Sequence, residues 1–142
     1  MNKNNFSNII LKYKKYHKNK KKILGFSKKC ICPFLGIYGI KALEGSLLNK
    51  SNIEACRKVI VRKIKKQGNL YVNCTPNIPV TTKSIGLRMG KGKGPVSSWV
   101  FPVKTGRILI EIKNVARSLA INALKSGSKK LPLLTKIVEY KL

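Results

Sequence analysis

The stretch "IEACRKVIVRKIKKQGNLYV" at residues 53–72 decides the class of fold, because its hydrophobic period changes part-way along. In its first part, four apolar side chains recur at the spacing of one helix face: Ile53, Cys56, Ile60 and Ile64. Gly68 is a natural helix stop. After it, "NLYVNCT" at 69–75 alternates its side chains as a half-buried strand does. A helix followed at once by a strand predicts a fold that mixes both kinds of element.

The segment before this helix predicts where the helix begins. Asn49 can cap a helix of about 18 residues, and Ser51 with Glu54 three residues later offers a second, capping-box start. Upstream, "LGIYGIKALE" at 35–44 is typical of a first strand or part of a hairpin. The polar face of the helix is almost wholly cationic, so it repels itself unless a polyanion lies against it.

Downstream, the pattern predicts a β-hairpin. "PNIP" at 76–79 is expected to end the preceding strand. The runs "SSWVFPV" (97–103) and "RILIEI" (107–112) are then predicted as two paired arms joined by "KTG". Pro102 indicates an edge or a bulge in the first arm, because proline cannot donate to a strand ladder.

A second helix and a last strand complete the predicted core. The helix is expected to begin at Asn114 and to close at Gly127. Its predicted buried residues are Leu119, Ala120, Ala123 and Leu124. "LPLLTKIVEYKL" at 131–142 follows as a strand. The order of elements predicts an α+β fold, a single compact domain of mixed or antiparallel strands with two helices, over residues 30–142.

Residues 1–29 are predicted to form an extended basic arm. The run "KYKKYHKNKKK" at 12–22 buries little apolar surface and repels itself, so it is not expected to fold alone. One interpretation is a solubilising tail. We favour an extension that orders against phosphates, with its tyrosines available to stack on bases.

The charge of the chain is its most unusual property. Among 142 residues there are 31 Lys and Arg against four acids, a net charge of +27, with 43% hydrophobic residues. Such self-repulsion destabilises a compact state unless a polyanion neutralises it, so a nucleic acid is the predicted partner. A membrane partner is not expected, because the longest near-apolar run, "ICPFLGIYGI" at 31–40, is far shorter than the roughly 20 residues of a spanning helix.

The four cysteines do not predict a metal or disulfide framework. Cys30 and Cys32 form a C-x-C with no matching second pair, and His17 is the one histidine. Buried or semi-buried free thiols in a reducing compartment are therefore expected at these two positions and at Cys56 and Cys74.

The run "RMGKGKG" at 88–94 is the candidate binding loop. Its glycines, Gly90, Gly92 and Gly94, allow positive φ and close approach of another chain. Its cations are Arg88, a planar fork for phosphate or a guanine edge, and Lys91 and Lys93, mobile point charges. The spacing matches neither the phosphate loop of NTPases nor the dinucleotide fingerprint. With no paired carboxylates and no Cys–His arrangement evident in the sequence, an enzyme is not predicted.

The sequence resembles a known family at several places. "GLRMGKGKGPVSSWVFPVKTGRILIEI" at 86–112 resembles the signature region of the bacterial-type large-subunit ribosomal protein L-sixteen family. The likeness extends to "KYKKYHK" at 12–18, to the helix and strand of 53–72, and to "KSGSKKLPLLTKIV" at 125–138. Residues 1–11 and the second helix, which lacks the family's acids and contains Gly127, depart from the pattern.

The resemblance implies a constituent of the large ribosomal subunit with an α+β core bound to rRNA, near the peptidyl-transferase region and the aminoacyl-site tRNA. It implies that the loop cations contact rRNA or tRNA and that four lysines of the arm bind rRNA: Lys12, Lys14, Lys15 and Lys18. The expected partners are large-subunit rRNA, tRNA and neighbouring large-subunit proteins, with no cofactor, metal or small-molecule substrate. Trp99 has two interpretations, a core residue behind the loop, which we favour, or a stacking platform for a base.

Two further expectations concern setting. The richness in Lys, Asn and Ile is typical of an AT-rich genome, and the amino-terminal segment lacks secretory and transit-peptide features, which favours an organelle-encoded protein. The nonstandard first residues favour a mitochondrial ribosome ahead of a plastid one. The alternative function is that of a free RNA-binding or ribosome-assembly protein with the same surface.

Overall fold

The computed structural model describes residues 15–17, 23–65 and 67–140. Within these ranges the chain forms two helices and seven strands. The helices are α1 (Lys50–Ile64) and α2 (Arg117–Ser128). The strands are β1 (Tyr38–Ala42), β2 (Ser46–Asn49), β3 (Asn69–Val72), β4 (Ile78–Thr81), β5 (Val96–Val103), β6 (Ile108–Lys113) and β7 (Thr135–Glu139). The predicted α+β class is confirmed.

The described strands form two antiparallel sheets. The larger sheet has the order β3-β6-β1-β7, and the smaller has the order β2-β5-β4. The two helices pack against each other, α2 also against β1 and β7, and α1 against β2 and β5. One hydrophobic cluster joins both helices to both sheets, so the chain has a common core that can hold a surface loop in place.

Helix α1 confirms the periodicity argument. Its buried residues are the predicted set: Ile53, Cys56, Ile60 and Ile64. The helix begins after Asn49 as predicted, but in the described part of the chain the Asn49 side chain makes no capping hydrogen bond, and Glu54 bonds to Arg57 instead of the cap. The predicted stop at Gly68 is wrong. Lys65 adopts φ 49° and ends the helix after 15 residues, with its N–H donating to the Val61 carbonyl.

The predicted hairpin of β5 and β6 is also wrong, because these strands belong to different sheets. Strand β5 pairs instead with β4. No strand was predicted at β4, because the prolines of "PNIP" were expected to end the preceding strand. Pro79 lies in β4, opposite Trp99 of β5. Because β4 is an edge strand, the missing N–H donor of the proline is tolerated there. Pro102 lies in the part of β5 that pairs with β2 beyond the end of β4, so its position resembles an edge although the strand is central.

Helix α2 begins later than predicted and contains the glycine that was expected to end it. Asn114 has φ 61° and stands in the turn before the helix. Gly127 is buried inside the helix, where an added Cβ would lie 2.6 Å from Cγ1 of Ile60 and 3.1 Å from Sγ of Cys56. Gly127 therefore allows α1 and α2 to approach closely. Ala120, Ala123 and Leu124 are buried as predicted, whereas Leu119 is half-buried.

Candidate nucleic-acid interface

The candidate loop lies at the tip of the hairpin formed by β4 and β5. Residues 82–95 connect the two strands, and the base of this connection is tightly closed. The Thr82 N–H donates to the Pro95 carbonyl over 3.1 Å, and the Thr82 and Ser97 hydroxyls lie 2.8 Å apart. A Cβ added to Gly94 would lie 2.3 Å from the Thr82 carbonyl oxygen, so close approach of the two strands requires glycine at this position. The two ends of the loop are therefore held together at the base of the hairpin.

The backbone between these ends is left-handed over three consecutive residues. Gly90, Lys91 and Gly92 have φ of 97°, 52° and 79°. An added Cβ at either glycine would meet no atom within 4 Å among the described residues, so conformation rather than crowding requires glycine there. The expectation of positive φ is thus confirmed at Gly90 and Gly92, whereas Gly94 serves close approach.

The three loop cations differ in how far the protein itself engages them. Arg88 and Lys91 are exposed and make no hydrogen bond or ion pair within the described ranges. Lys93, by contrast, donates its ammonium group to the Tyr16 carbonyl over 2.7 Å, and the Lys15 ammonium donates to the Lys93 carbonyl over 3.0 Å. Arg88 and Lys91 are therefore the cations that remain available to an external anion, while Lys93 ties the arm to the loop.

The arm is covered by the structure in part. Of its four predicted RNA-binding residues, Lys15 is described and contacts the loop. Lys12, Lys14 and Lys18 lie outside the described residues. The structure thus brings Lys15 together with Lys93, a pairing that no local sequence pattern indicates.

Apolar side chains at the tip were missed by the sequence reasoning. Ile85, Leu87 and Met89 alternate along the loop, and all three are exposed. Their alternation was visible in "SIGLRMG", but no predicted element was assigned to bury them. Together with Arg88 and Lys91 they give the tip both apolar and cationic groups, a combination that suits base faces and phosphates rather than phosphates alone.

Trp99 does not belong to the core. Its side chain is 36% exposed, and the hydrophobic cluster includes its strand neighbours Phe101 and Val103 but not Trp99 itself. The favoured interpretation of Trp99 as a core residue is therefore wrong. Trp99 lies in the part of β5 that pairs with the edge strand β4, and its side chain does not reach the cluster that Phe101 and Val103 join.

All four carboxylates are engaged by the protein's own donors. Glu44 accepts from the Leu134 N–H over 2.7 Å, and Glu139 pairs with Arg117 at 3.0 Å. Glu54 pairs with Arg57 at 2.6 Å, and this hydrogen bond holds the pKa of the Glu54 carboxyl below its usual value. Glu111 is buried and accepts backbone hydrogen bonds. Because Glu111 is buried and two of the other three acids pair with arginines, little negative charge opposes a polyanion at the surface.

Helix α1 presents a second basic surface. Lys58, Arg62 and Lys65 are exposed at the four- and three-residue spacings that place them along one side of the helix and its cap. The buried face of α1 lies against the core, so these cations point away from it. The predicted cationic helix face is present in the structure.

The cysteines are free thiols in two environments. Cys56 and Cys74 are buried, and burial raises the pKa of each thiol to about 12. Cys30 and Cys32 are exposed, which differs from the expected burial, because their segment lies on the surface of the larger sheet.

The described residues contain no cluster of three or more side chains suited to hold a metal ion. None of the helices in the described ranges is both long and apolar enough to cross a membrane.

Comparison with known proteins gives consistent results along nearly the whole chain. Residues 11–138 match the family described as ribosomal protein L16p/L10e. The chain is 43% identical over 132 residues to large ribosomal subunit protein uL16 of Petrotoga mobilis, covering 92% of this chain and 94% of that protein. The uL16 protein of Kosmotoga olearia is 43% identical, covering 92% and 93%, and that of Cereibacter sphaeroides is 42% identical, covering 89% and 91%.

Proposed function

Because the chain belongs to the L16p/L10e family of ribosomal proteins, we propose that it is a constituent of the large ribosomal subunit and binds large-subunit rRNA. In this proposal the loop 88–94 helps to position aminoacyl-site tRNA near the peptidyl-transferase centre during translation. The arm of residues 1–29 and the core of residues 30–142 both contact rRNA. The last residues of the arm already meet the core, since the Ser27 N–H donates to the Thr105 carbonyl.

One observation carries the proposal for the loop. The β4–β5 loop is closed at its base, its tip is exposed, and Arg88 and Lys91 have no partner among the described residues. The Arg88 guanidinium can donate two parallel hydrogen bonds to one phosphate, and the Lys91 ammonium supplies a mobile positive charge in the same loop. A loop whose ends are joined loses less conformational freedom on binding RNA than an open segment of the same length.

The remaining site residues shape the loop, position the arm or contact rRNA in the proposal. Gly90 and Gly92 give the tip its left-handed path, and Gly94 closes its base. Lys93 and Lys15 position the arm beside the loop. Lys12, Lys14 and Lys18 extend the rRNA contact along the arm. No catalytic role, cofactor or small-molecule substrate is part of the proposal.

The test compares Arg88→Ala/Lys91→Ala with a matched double variant, Lys125→Ala/Lys129→Ala, which removes two exposed cations from α2 and its cap. Each chain replaces the native protein in the organism that carries it. We expect the loop variant to co-sediment with the large subunit through a high-salt wash but to slow aminoacyl-tRNA accommodation. The control variant should co-sediment in the same way and accommodate aminoacyl-tRNA at the normal rate.

Two results would contradict the proposal. Normal accommodation in the loop variant would remove the tRNA role from the loop. Recovery of the unaltered chain from free fractions, and never from large subunits, would favour the alternative of a free RNA-binding or assembly protein.

We further propose that the ribosome in question is mitochondrial. The Lys-, Asn- and Ile-rich composition supports an AT-rich genome, as organelles often have. Fractionation tests this directly: the chain should sediment with ribosomes of purified mitochondria. Its recovery with plastid or cytosolic ribosomes would refute the assignment.

A further inference from the structure

Phe34 combines full exposure with a firmly held backbone. Its side chain is 90% exposed, yet its N–H donates to Oε2 of Glu111 over 3.1 Å. The next two N–H groups, of Leu35 and Gly36, donate to the same oxygen over 2.8 Å each. Glu111 itself is 1% exposed, and its other oxygen accepts from the Asn73 side-chain amide. One buried carboxylate therefore fixes the turn that presents Phe34 to solvent.

The turn has no room to move inward. A Cβ added to Gly36 would lie 2.8 Å from Cβ of Glu111 and 2.8 Å from the Ile112 carbonyl oxygen. The chain continues into the larger sheet, where the Ile37 N–H donates to the same carbonyl. An aromatic side chain held outward by rigid backbone loses little conformational freedom when a partner covers it, which favours binding.

The surroundings of Phe34 indicate the kind of partner. Phe26 is 80% exposed in the same surface segment, residues 24–35. Tyr140 contacts this segment, because its hydroxyl donates a hydrogen bond to Sγ of Cys32 over 2.6 Å. Lys28 and Lys29 are exposed between the two phenylalanines, and the segment contains no acid. Protein interfaces are depleted of lysine, whereas aromatic side chains interleaved with cations are typical of surfaces that bind single-stranded nucleic acid.

A cavity lies directly beside the exposed ring. It has a volume of about 330 Å³ and is lined by Cys30, Cys32, Phe34, Asn73 and Glu111, among others. The cavity is partly open to solvent, and Phe34, one of its lining residues, is itself exposed. Because the Glu111 carboxylate already accepts four hydrogen bonds from the protein, the cavity wall offers a largely satisfied surface against which a flat ring can lie.

We propose that Phe34 stacks on an unpaired base of large-subunit rRNA, at an RNA contact separate from the loop 88–94. Lys28 and Lys29 bind the flanking phosphates, and Glu111 acts as the positioning residue that holds the ring outward. The proposal rests on the proposed function, since it requires that the protein binds rRNA.

The test measures binding of the full chain to a transcript of large-subunit rRNA over a range of salt concentrations. Stacking adds affinity without neutralising phosphates, so Phe34→Ala should weaken binding about tenfold at every salt concentration and leave the log–log salt slope unchanged. Phe34→Trp should retain the affinity, because a larger ring also stacks. Leu134→Ala is the matched control, because it removes an exposed apolar side chain elsewhere on the surface and should change nothing.

Four outcomes would overturn the proposal. Unchanged affinity of Phe34→Ala would remove Phe34 from the RNA contact. Rescue by Phe34→Leu but not by Phe34→Trp would show that the residue fills an apolar pocket. Normal binding of Phe34→Ala to the transcript together with poor retention on whole subunits would assign the surface to a neighbouring protein. Failure of the unaltered chain to bind any rRNA transcript would instead overturn the proposed function, and this proposal with it.

Discussion

Glu111→Ala removes the acceptor of four hydrogen bonds in a single change. Three come from consecutive backbone N–H groups at 2.8–3.1 Å, and the fourth comes from the Asn73 amide. A hydrogen bond to a charged group contributes roughly 1.5–3 kcal/mol. Because the four share one carboxylate and solvent can reach the turn through the adjacent cavity, we expect a combined loss of about 4 kcal/mol in the free energy of unfolding rather than the full sum.

The size of this loss is large against the roughly 5–15 kcal/mol of a typical domain. Glu111→Gln keeps one acceptor oxygen but loses the charge, so we expect about half the effect. Urea titration followed by circular dichroism measures both, in about 1 M salt, where the Debye length of roughly 3 Å suppresses the repulsion among the lysines. At an m-value of about 2 kcal/mol per M, Glu111→Ala should lower the urea midpoint by about 2 M.

Glu44→Ala is the matched control for this experiment. Glu44 is exposed and accepts one backbone N–H, from Leu134. We expect its removal to cost less than about 1 kcal/mol. If Glu111→Ala lowers the free energy of unfolding no more than Glu44→Ala does, the buried carboxylate does not hold the turn of residues 34–36.

Three further predictions test the base of the loop, the buried thiols and the pH dependence of stability. Gly94→Ala should open the base of the β4–β5 hairpin, because its Cβ would lie 2.3 Å from the Thr82 carbonyl oxygen. Hydrogen-exchange measurements should then show faster exchange of the Thr82 N–H. Gly92→Ala is the control, because a Cβ at Gly92 lies in open space and should leave the Thr82 amide protected. The raised pKa of Cys56 and Cys74, about 12 against 9.0, should leave these buried thiols slow to react with a thiol reagent in the folded chain, while Cys30 and Cys32 react quickly. A raised folded-state pKa stabilises the fold fully below pH 9.0, and this contribution is lost as pH rises towards 12, so unfolding should become easier over that window; equal reactivity of all four thiols in the native protein would contradict the buried placement.

Local patterns predicted the elements of this chain better than their pairing. The buried face of α1 followed directly from its period, because each turn of a helix is set by residues three and four apart. The pairing of β4 with β5 was missed because Pro76 and Pro79 indicate a break, and because a connection as long as residues 82–95 leaves no turn signal. The short "KTG" favoured pairing β5 with β6, yet the core places them in different sheets, which is a property of the whole fold.

The candidate site shows the same division. Glycine spacing identified the loop, and its positive φ values at Gly90 and Gly92 agree with that reasoning. The engagement of Lys93 by the Tyr16 carbonyl links positions 77 residues apart, which no window of sequence reveals. Glu111 appeared in the sequence as one polar residue in an apolar strand, and its role depends on N–H groups 75–77 positions away.

The two hydrogen bonds that join residues 15–16 to Lys93 have a consequence for how this protein can change over generations. In both bonds the acceptor is a main-chain carbonyl, of Tyr16 in one and of Lys93 in the other. Every amino acid supplies such a carbonyl, so the side chain at position 16 can drift without breaking its bond. The donors are the side-chain ammonium groups of Lys15 and Lys93, so replacing either lysine with an apolar residue removes its hydrogen bond. Natural selection acting on these two hydrogen bonds therefore weighs on the two lysines, whose side chains are the donors.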